Sequence, residues 1–132
     1  KDDPARRKVT YNITLGQVTP ASSCRPHRAG PKLAVELINA LNGGLGFRVG
    51  SSGEHFRFEL KSLEVHGASG TEPDYEARHH ALVRRLIEED GVDLLVGSCS
   101  HHSLNESRTA DKAGRLIMAQ VGPNALFEDE DG

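Results

Sequence analysis

The apolar and polar positions along the chain alternate between the period of a strand and the period of a helix. Tyr11 to Pro20 alternates apolar and polar residues and predicts a first strand. Phe56 to His66 predicts a second strand, with a bulge expected at Lys61-Ser62. The aliphatic run Val92 to Val96 is typical of a strand buried on both faces, and Leu116 to Val121 predicts a fourth strand.

A helical pattern follows the first strand. Proline is tolerated in the first turn of a helix, so Pro31 is expected near the start. Asn42-Gly43-Gly44 predicts the end, since glycine tolerates the left-handed turn past a helix. The flanking segments Ala21 to Arg28 and Leu45 to His55 are expected to be loops. Apolar residues at helical spacing predict one buried face, made of Leu33, Ala34, Leu37, Ile38 and Leu41.

Two further helices are predicted. Thr71 is expected to cap the second, with Asp74 three residues on, and this helix runs to about Asp90. Ser103 to Ala113 predicts a third helix with a thin apolar face of small residues. The order strand, helix, strand, helix, strand, helix, strand argues for an α/β fold with a parallel sheet and right-handed crossovers.

Length and charge narrow the class of protein. A chain of 132 residues is long enough for one domain or one lobe of a larger protein, and its start at Lys1 predicts a processed or excised segment. The net charge of −3 gives no broad basic surface, so no nucleic-acid partner is predicted. No apolar run approaches the roughly 18 residues that a membrane span needs.

Polar residues gather at one expected edge of the sheet. The loops after strands one, three and four meet there, and they contain Thr19 to Ser23, Ser98 to His101 and Val121 to Asn124. Backbone N–H groups and hydroxyls at a helix N-terminus suit a carboxylate or another anion. The alternative is that these are ordinary strand-to-helix turns in which serine, glycine and asparagine cap helices.

The two cysteines, Cys24 and Cys99, leave three interpretations open. They are compatible with one disulfide or with two free thiols. A competing function is a metal-binding or thiol-based α/β enzyme that uses Cys24, His27, Cys99 and His101. His79-His80 on the second helix is expected to be a solvated pair, because adjacent helical residues point apart.

The succession of these segments resembles the type 1 periplasmic binding protein family, the leucine/isoleucine/valine-binding proteins. Three segments carry the resemblance: NITLGQVTP at Asn12 to Pro20, GPKLAVELINA at Gly30 to Ala40, and LIEEDGVDLLVG at Leu86 to Gly97. The same fold forms the extracellular ligand-binding region of natriuretic-peptide and metabotropic glutamate receptors. The resemblance implies a three-layer sandwich with strand order 2-1-3-4. Residues 1–8 are then a lead-in, 9–126 a partial N-terminal lobe and 127–132 an acidic tail, with the second lobe absent.

This resemblance also implies a function. It predicts a non-catalytic sensor or solute-binding domain, extracellular or periplasmic, that holds an amino acid or a related carboxylate or amide between two lobes. A membrane receptor or transporter tether and a homodimer are expected by the same resemblance, and no cofactor is expected. Ser100 falls on the position that clasps the ligand carboxylate, and Val121, Gly122 and Pro123 on the turn that supplies further contacts. With the other residues of the edge, the predicted ligand-binding set is Thr19, Ser98, Cys99, Ser100, His101, Val121, Gly122 and Pro123.

The sequence departs from the family at two points. The leucine-type binders pair the cysteine after strand three with one after strand two, where this chain has none, so Cys24 is the candidate disulfide partner of Cys99. His101 and His102 replace small serines, which argues against a simple amino-acid specificity.

Overall fold

The computed structural model describes residues 9–21, 25–51, 53–67, 72–97 and 100–118, without the side chains of 25–28 and 100–105. Five strands and three helices lie within these residues. They are β1 (Val9–Pro20), α1 (Arg25–Gly44), β2 (Phe47–Arg48), β3 (Glu54–Val65), α2 (Tyr75–Glu88), β4 (Leu94–Val96), α3 (Ser100–Lys112) and β5 (Leu116–Met118).

The strands form one sheet in the order β2-β3-β1-β4-β5. Four of them are parallel and keep the relative order that the sequence predicts, while β2 is antiparallel to β3 and adds an edge. The observed order therefore differs from the four-stranded prediction by one strand. The sequence missed β2 because two residues, Phe47 and Arg48, are too few to show a period, and the segment was expected to be a loop.

The central strand β1 is paired on both sides. Its register with β3 runs without interruption from Val9 opposite Glu54 to Pro20 opposite Val65. The bulge predicted at Lys61-Ser62 is therefore wrong. The pairing of β1 with β4 is shorter, and Asp93 extends it: its N–H donates to Thr14 O at 2.8 Å, and its Oδ2 accepts from Thr14 N–H at 2.8 Å.

Helices lie on both faces of the sheet. Successive strand residues point to opposite faces. Leu95 and Ile117 pack with the buried residues of α2 and with Ala110 of α3. The neighbouring residues Leu94, Val96 and Met118 face the side of α1, where an apolar groove of about 720 Å³ separates them from the helix. The three-layer arrangement expected from the sequence is therefore present in the described residues.

Helix α1 corrects two expectations. It begins at Arg25, within the predicted loop, so Pro31 lies inside the helix and not near its start. Pro26 occupies the first turn instead, the place where a missing N–H costs little. The predicted buried face is also rotated, because its three leucines are largely exposed: Leu33 by 56%, Leu37 by 62% and Leu41 by 48%.

The face of α1 that meets the sheet uses Val35, Ile38 and Asn39. Asn39 joins the helix to the edge of β3, since its Nδ2 donates to Phe58 O at 2.7 Å and its Oδ1 accepts from Phe58 N–H at 2.8 Å. The side-chain amide of Asn39 thus makes the two hydrogen bonds that a neighbouring strand would make to Phe58, which β2 is too short to reach. The predicted end of the helix is confirmed by the positive φ angles of Asn42 and Gly43.

Helix α2 begins later than predicted. Its N-cap is Asp74, which makes no side-chain capping hydrogen bond, and Thr71 lies outside the described residues. Helix α3 begins at Ser100, three residues before the predicted start. Within the described part of the chain, no helix is both long and apolar enough to cross a membrane.

Gly16 is required where α2 packs on β1. A Cβ atom at this position would lie 3.0 Å from both methyl groups of Val92 and 3.2 Å from Leu86 Cδ1. Val92 and Leu86 are both fully buried, so neither can move away freely. The absence of a side chain on Gly16 of β1 therefore sets how closely α2 and the segment that joins it to β4 approach the sheet.

We expect Gly16→Ala to lower the free energy of unfolding by about 1–3 kcal/mol, the usual cost of overpacking a core. Gly30→Ala is the matched control, because a Cβ at Gly30 in α1 meets no atom within 4 Å. Alanine should stabilise this helical position by about 0.5–1 kcal/mol. Denaturant unfolding measures both variants, and equal effects of the two substitutions would contradict the packing at Gly16.

Candidate functional site

The carboxyl ends of the parallel strands meet at one edge of the sheet, which we call the carboxyl edge. Beyond the end of β1, Ala21 N–H donates to Val65 O at 2.9 Å, and beyond the end of β4, Gly97 N–H donates to Met118 O at 2.9 Å. Helix α3 starts at this edge with Ser100. The first N–H groups of a helix have no partner within the helix and carry partial positive charge. This end of the fold can therefore accept an anionic group.

Thr19 lies at the carboxyl edge, as the sequence predicts, but its side chain is completely buried. Within the described part of the chain, its hydroxyl oxygen has no hydrogen-bond partner. A buried hydroxyl without a partner is costly, at about 1–3 kcal/mol. Thr19 is thus a polar group beneath the predicted site, and in this structure it does not reach the surface where a ligand would enter.

The other predicted ligand-binding residues are only partly described. Ser100 and His101 form the first turn of α3, and the structure describes their backbone but not their side chains. Ser98, Cys99, Val121, Gly122 and Pro123 lie outside the described residues. Their contacts with a ligand remain predictions.

The cysteine-based alternatives also depend on residues outside the described part. Cys24 and Cys99 are both outside it, and the side chain of His27 is not described, so the disulfide and the metal or thiol site remain predictions. Among the residues that are described, no group of three histidine, cysteine, aspartate or glutamate side chains could hold a metal ion.

The sequence interpretation missed a buried polar contact between α2 and α3. His79 Nε2 lies 3.1 Å from Glu106 Oε1, and the two side chains are only 1% and 3% exposed. His80, the next residue, turns towards α3 as well, and its Nδ1 is hydrogen-bonded to Thr109 Oγ1 at 3.1 Å. The expectation of a solvated histidine pair is therefore wrong.

The helical geometry behind that expectation was correct, since adjacent residues do point apart. The sequence did not show that α3 lies beside α2. His79 points into the interior and His80 points along the outer surface, and α3 meets both. One residue in the sequence could have indicated the contact. Glu106 lies four residues before the buried Ala110, so the two share one face of α3.

Tyr75 lies at the start of α2 and is 1% exposed. Burial raises the pKa of its phenol above the ordinary value of 10.0, and the carboxylates of Glu76 and Glu106 raise it further, while the Arg78 guanidinium lowers it. The phenol therefore stays protonated in the folded chain across the physiological range. The interior between α2, α3 and the sheet thus contains a tyrosine, a histidine and a glutamate.

The chain is similar to the crystal structure of a possible leucine/isoleucine/valine-binding protein from Rhodopirellula baltica SH 1. The two share 19% sequence identity with a TM-score of 0.63, and the similarity covers 93% of this chain and 31% of the other. This chain thus spans less than a third of that protein's length. At this identity the likeness shows the fold alone, and it supports the periplasmic-binding-like fold predicted from the sequence. No protein-family model matches the chain, and no curated protein matches it.

We expect Thr19→Val to leave the free energy of unfolding unchanged or to raise it, because the substitution removes a buried hydroxyl that has no partner among the described residues. Val18→Thr is the reverse change at the adjacent position, where Val18 is 2% exposed within the apolar core. It should lower the free energy of unfolding by about 1–3 kcal/mol. Urea unfolding measures both, and a clear loss of stability in Thr19→Val would show that the hydroxyl is bonded.

The raised pKa of Tyr75 predicts a loss of stability at high pH. Above pH 10.0 the unfolded phenol releases its proton while the folded one keeps it, so the free energy of unfolding falls as pH rises further. The chain has two tyrosines, so in the Tyr11→Phe variant the tyrosinate absorbance measures the ionisation of Tyr75 alone. We expect a higher titration midpoint in the folded variant than in guanidinium-unfolded protein, and equal midpoints would contradict the burial of Tyr75.

Proposed function

We propose that this chain is one lobe of a non-catalytic ligand-binding domain and that it recognises a small molecule at the carboxyl edge. The observation that carries the proposal is the fold, which aligns over 93% of the chain with a protein described as a possible leucine/isoleucine/valine-binding protein. The ligand class that we propose is an amino acid or a related carboxylate or amide.

The arrangement of the carboxyl edge supports this class of ligand. Parallel strands β1, β4 and β5 end there, and α3 directs its N-terminus at the same place. In open α/β sheets, ligands bind outside the carboxyl ends of the strands, and a helix N-terminus favours a carboxylate. Ser100, the first residue of α3, is the side chain that we propose clasps this carboxylate.

The proposed mechanism is recognition followed by closure. One lobe offers half of a cleft, and the ligand would bind it through backbone N–H groups and the Ser100 hydroxyl. Contacts with a second lobe then favour a closed state, because a ligand shifts the equilibrium towards the state that it contacts better. An extracellular or periplasmic location agrees with this role. The receptor or transporter tether and the homodimer remain predictions of the sequence resemblance.

A thermal-shift screen tests the proposal. We expect an amino acid or a related carboxylate or amide to raise the melting temperature, since a ligand at a hundred times its dissociation constant adds about 2.7 kcal/mol of stability. Ser100→Ala should remove the shift. Ser107→Ala is the matched control, because it makes the same change two turns further along α3 and should keep the shift.

Two results would contradict the proposal. In one, no amino acid, carboxylate or amide changes the melting temperature of the chain or of a longer chain that includes a second lobe. In the other, Ser100→Ala and Ser107→Ala keep the shift equally well, which would place the ligand away from the carboxyl edge.

A further inference from the structure

A second groove lies on the outer surface of the fold, between α2 and α3, which we call the interhelix groove. It is open to solvent and has a volume of about 470 Å³. Two apolar residues line it, Ile87, which is buried, and Ala113, which is exposed. The polar residues that line it are His80, Arg84, Glu88, Arg108, Thr109 and Lys112.

The interhelix groove is far from the carboxyl edge. Ser100 begins α3 at that edge, and Lys112 is the last residue of the same helix. At 1.5 Å per residue, Lys112 lies about 18 Å from Ser100 along the helix axis, and Arg108, the lining residue of α3 nearest to Ser100, lies about 12 Å from it. The groove is therefore separate from the proposed ligand site, and an inference about it does not rest on the proposed function.

The charges that line the groove are mostly positive. Arg84, Arg108 and Lys112 bring three cations to it, and Glu88 brings one carboxylate. This local excess contrasts with the chain's net charge of −3. Charges more than roughly 8 Å away are screened at physiological ionic strength, so the field at this groove is set by its four charged lining side chains together with Asp111, which precedes Lys112 on α3.

The groove has a defined width because α2 and α3 are joined beside it. The hydrogen bond of 3.1 Å between His80 Nδ1 and Thr109 Oγ1 crosses from one helix to the other. On the inner side, the contact of 3.1 Å between His79 and Glu106 joins the same two helices. The two helices are therefore held at a fixed separation, and the cations that line the groove lie on either side of a shared space.

Arg84 is oriented along α2 by Glu88. Its Nε donates to Glu88 Oε1 at 3.2 Å and its Nη2 to Oε2 at 3.4 Å. Both side chains are more than half exposed, and an ion pair of this kind contributes little to stability. An anion with two or more charges can therefore bind the Arg84 guanidinium, either while Glu88 stays bound to it or after displacing Glu88.

The geometry and the charges favour one class of ligand. The planar N–H groups of arginine match phosphate oxygens in pairs, and a lysine ammonium adds a mobile point charge. A volume of about 470 Å³ lies within the range of small-molecule sites, and the two apolar lining residues can contact the uncharged part of such a molecule. We propose that the interhelix groove binds the phosphate group of a phosphorylated small molecule, with Arg108 and Lys112 of α3 as the main ligands.

Isothermal titration calorimetry of the chain with inorganic pyrophosphate tests this site. We expect saturable binding that weakens as salt is added. Arg108→Ala and Lys112→Ala should each weaken binding about tenfold or more, the usual effect of losing a hydrogen bond to a charged group. Arg85→Ala is the matched control, because Arg85 lies on α2 outside the groove, beside Glu89 and Asp90, and its loss should change binding less than twofold.

A second arm distinguishes the source of the phosphate. Vesicles of phosphatidylcholine with phosphatidic acid present the same group at a membrane surface. Binding of pyrophosphate that depends on Arg108 and Lys112 assigns the groove to soluble phosphorylated molecules. Binding only to the vesicles, with the same dependence, assigns it to a lipid headgroup.

The proposal is overturned if neither probe binds, or if Arg108→Ala and Lys112→Ala bind as well as the unmodified chain. It is also overturned if Arg85→Ala weakens binding as much as they do, since the effect would then be one of net charge. Circular dichroism and melting curves of each variant show whether it is folded. The exposed positions of these side chains on α2 and α3 make folding of all three variants the expected result.

Discussion

The buried contact between His79 and Glu106 is the interaction on which the arrangement of α2 and α3 depends. The part of α3 whose side chains are described, residues 106–112, has little apolar surface, because Ala110 is its one apolar side chain. The histidine and the glutamate lie 3.1 Å apart in the interior and join α3 to α2. A buried polar pair contributes modestly to net stability, but the loss of one partner is costly, so arrangements of the two helices that separate the pair are disfavoured.

Both candidate sites follow from that arrangement. The N-terminus of α3 lies at the carboxyl edge, and its last two turns line the interhelix groove. A shift of α3 along α2 would therefore move both sites at once. The position of α2 depends in turn on Gly16, where the bare backbone of β1 lets Val92 and Leu86 approach. The central strand β1 thus positions α2, and α2 positions α3 through the contact between His79 and Glu106.

The sequence predicted those parts of the structure that follow from local periodicity. The four parallel strands and three helices occur where apolar spacing indicated, and Asn42-Gly43 ends α1 with positive φ angles as expected. The prediction from the sequence was wrong where contacts between distant segments determine the structure. β2 exists only because β3 offers an edge, and the exposed leucines of α1 have the spacing of a buried face while Val35 and Ile38 turn towards the sheet.

Prediction of the sites was limited for a related reason. Thr19 was placed correctly at the carboxyl edge, but a strand pattern does not show that its hydroxyl is covered. The interhelix groove was not visible in the sequence, since Arg84 and Arg108 belong to helices whose contact depends on two histidines that were expected to be solvated. Charges 24 positions apart become neighbours only when both helices are packed on the same face of the sheet.

The most direct test of a ligand site at the carboxyl edge is a map of backbone amide signals by nuclear magnetic resonance while leucine is added to millimolar excess. This measurement detects weak binding to a single lobe and locates it. We expect the amides at the ends of β1 and β4 and in the first turn of α3 to shift together and saturate, with Ala21, Gly97 and Ser100 among them. Saturable shifts confined to the opposite end of the sheet, or to the exposed face of α1, would contradict a ligand site at the carboxyl edge.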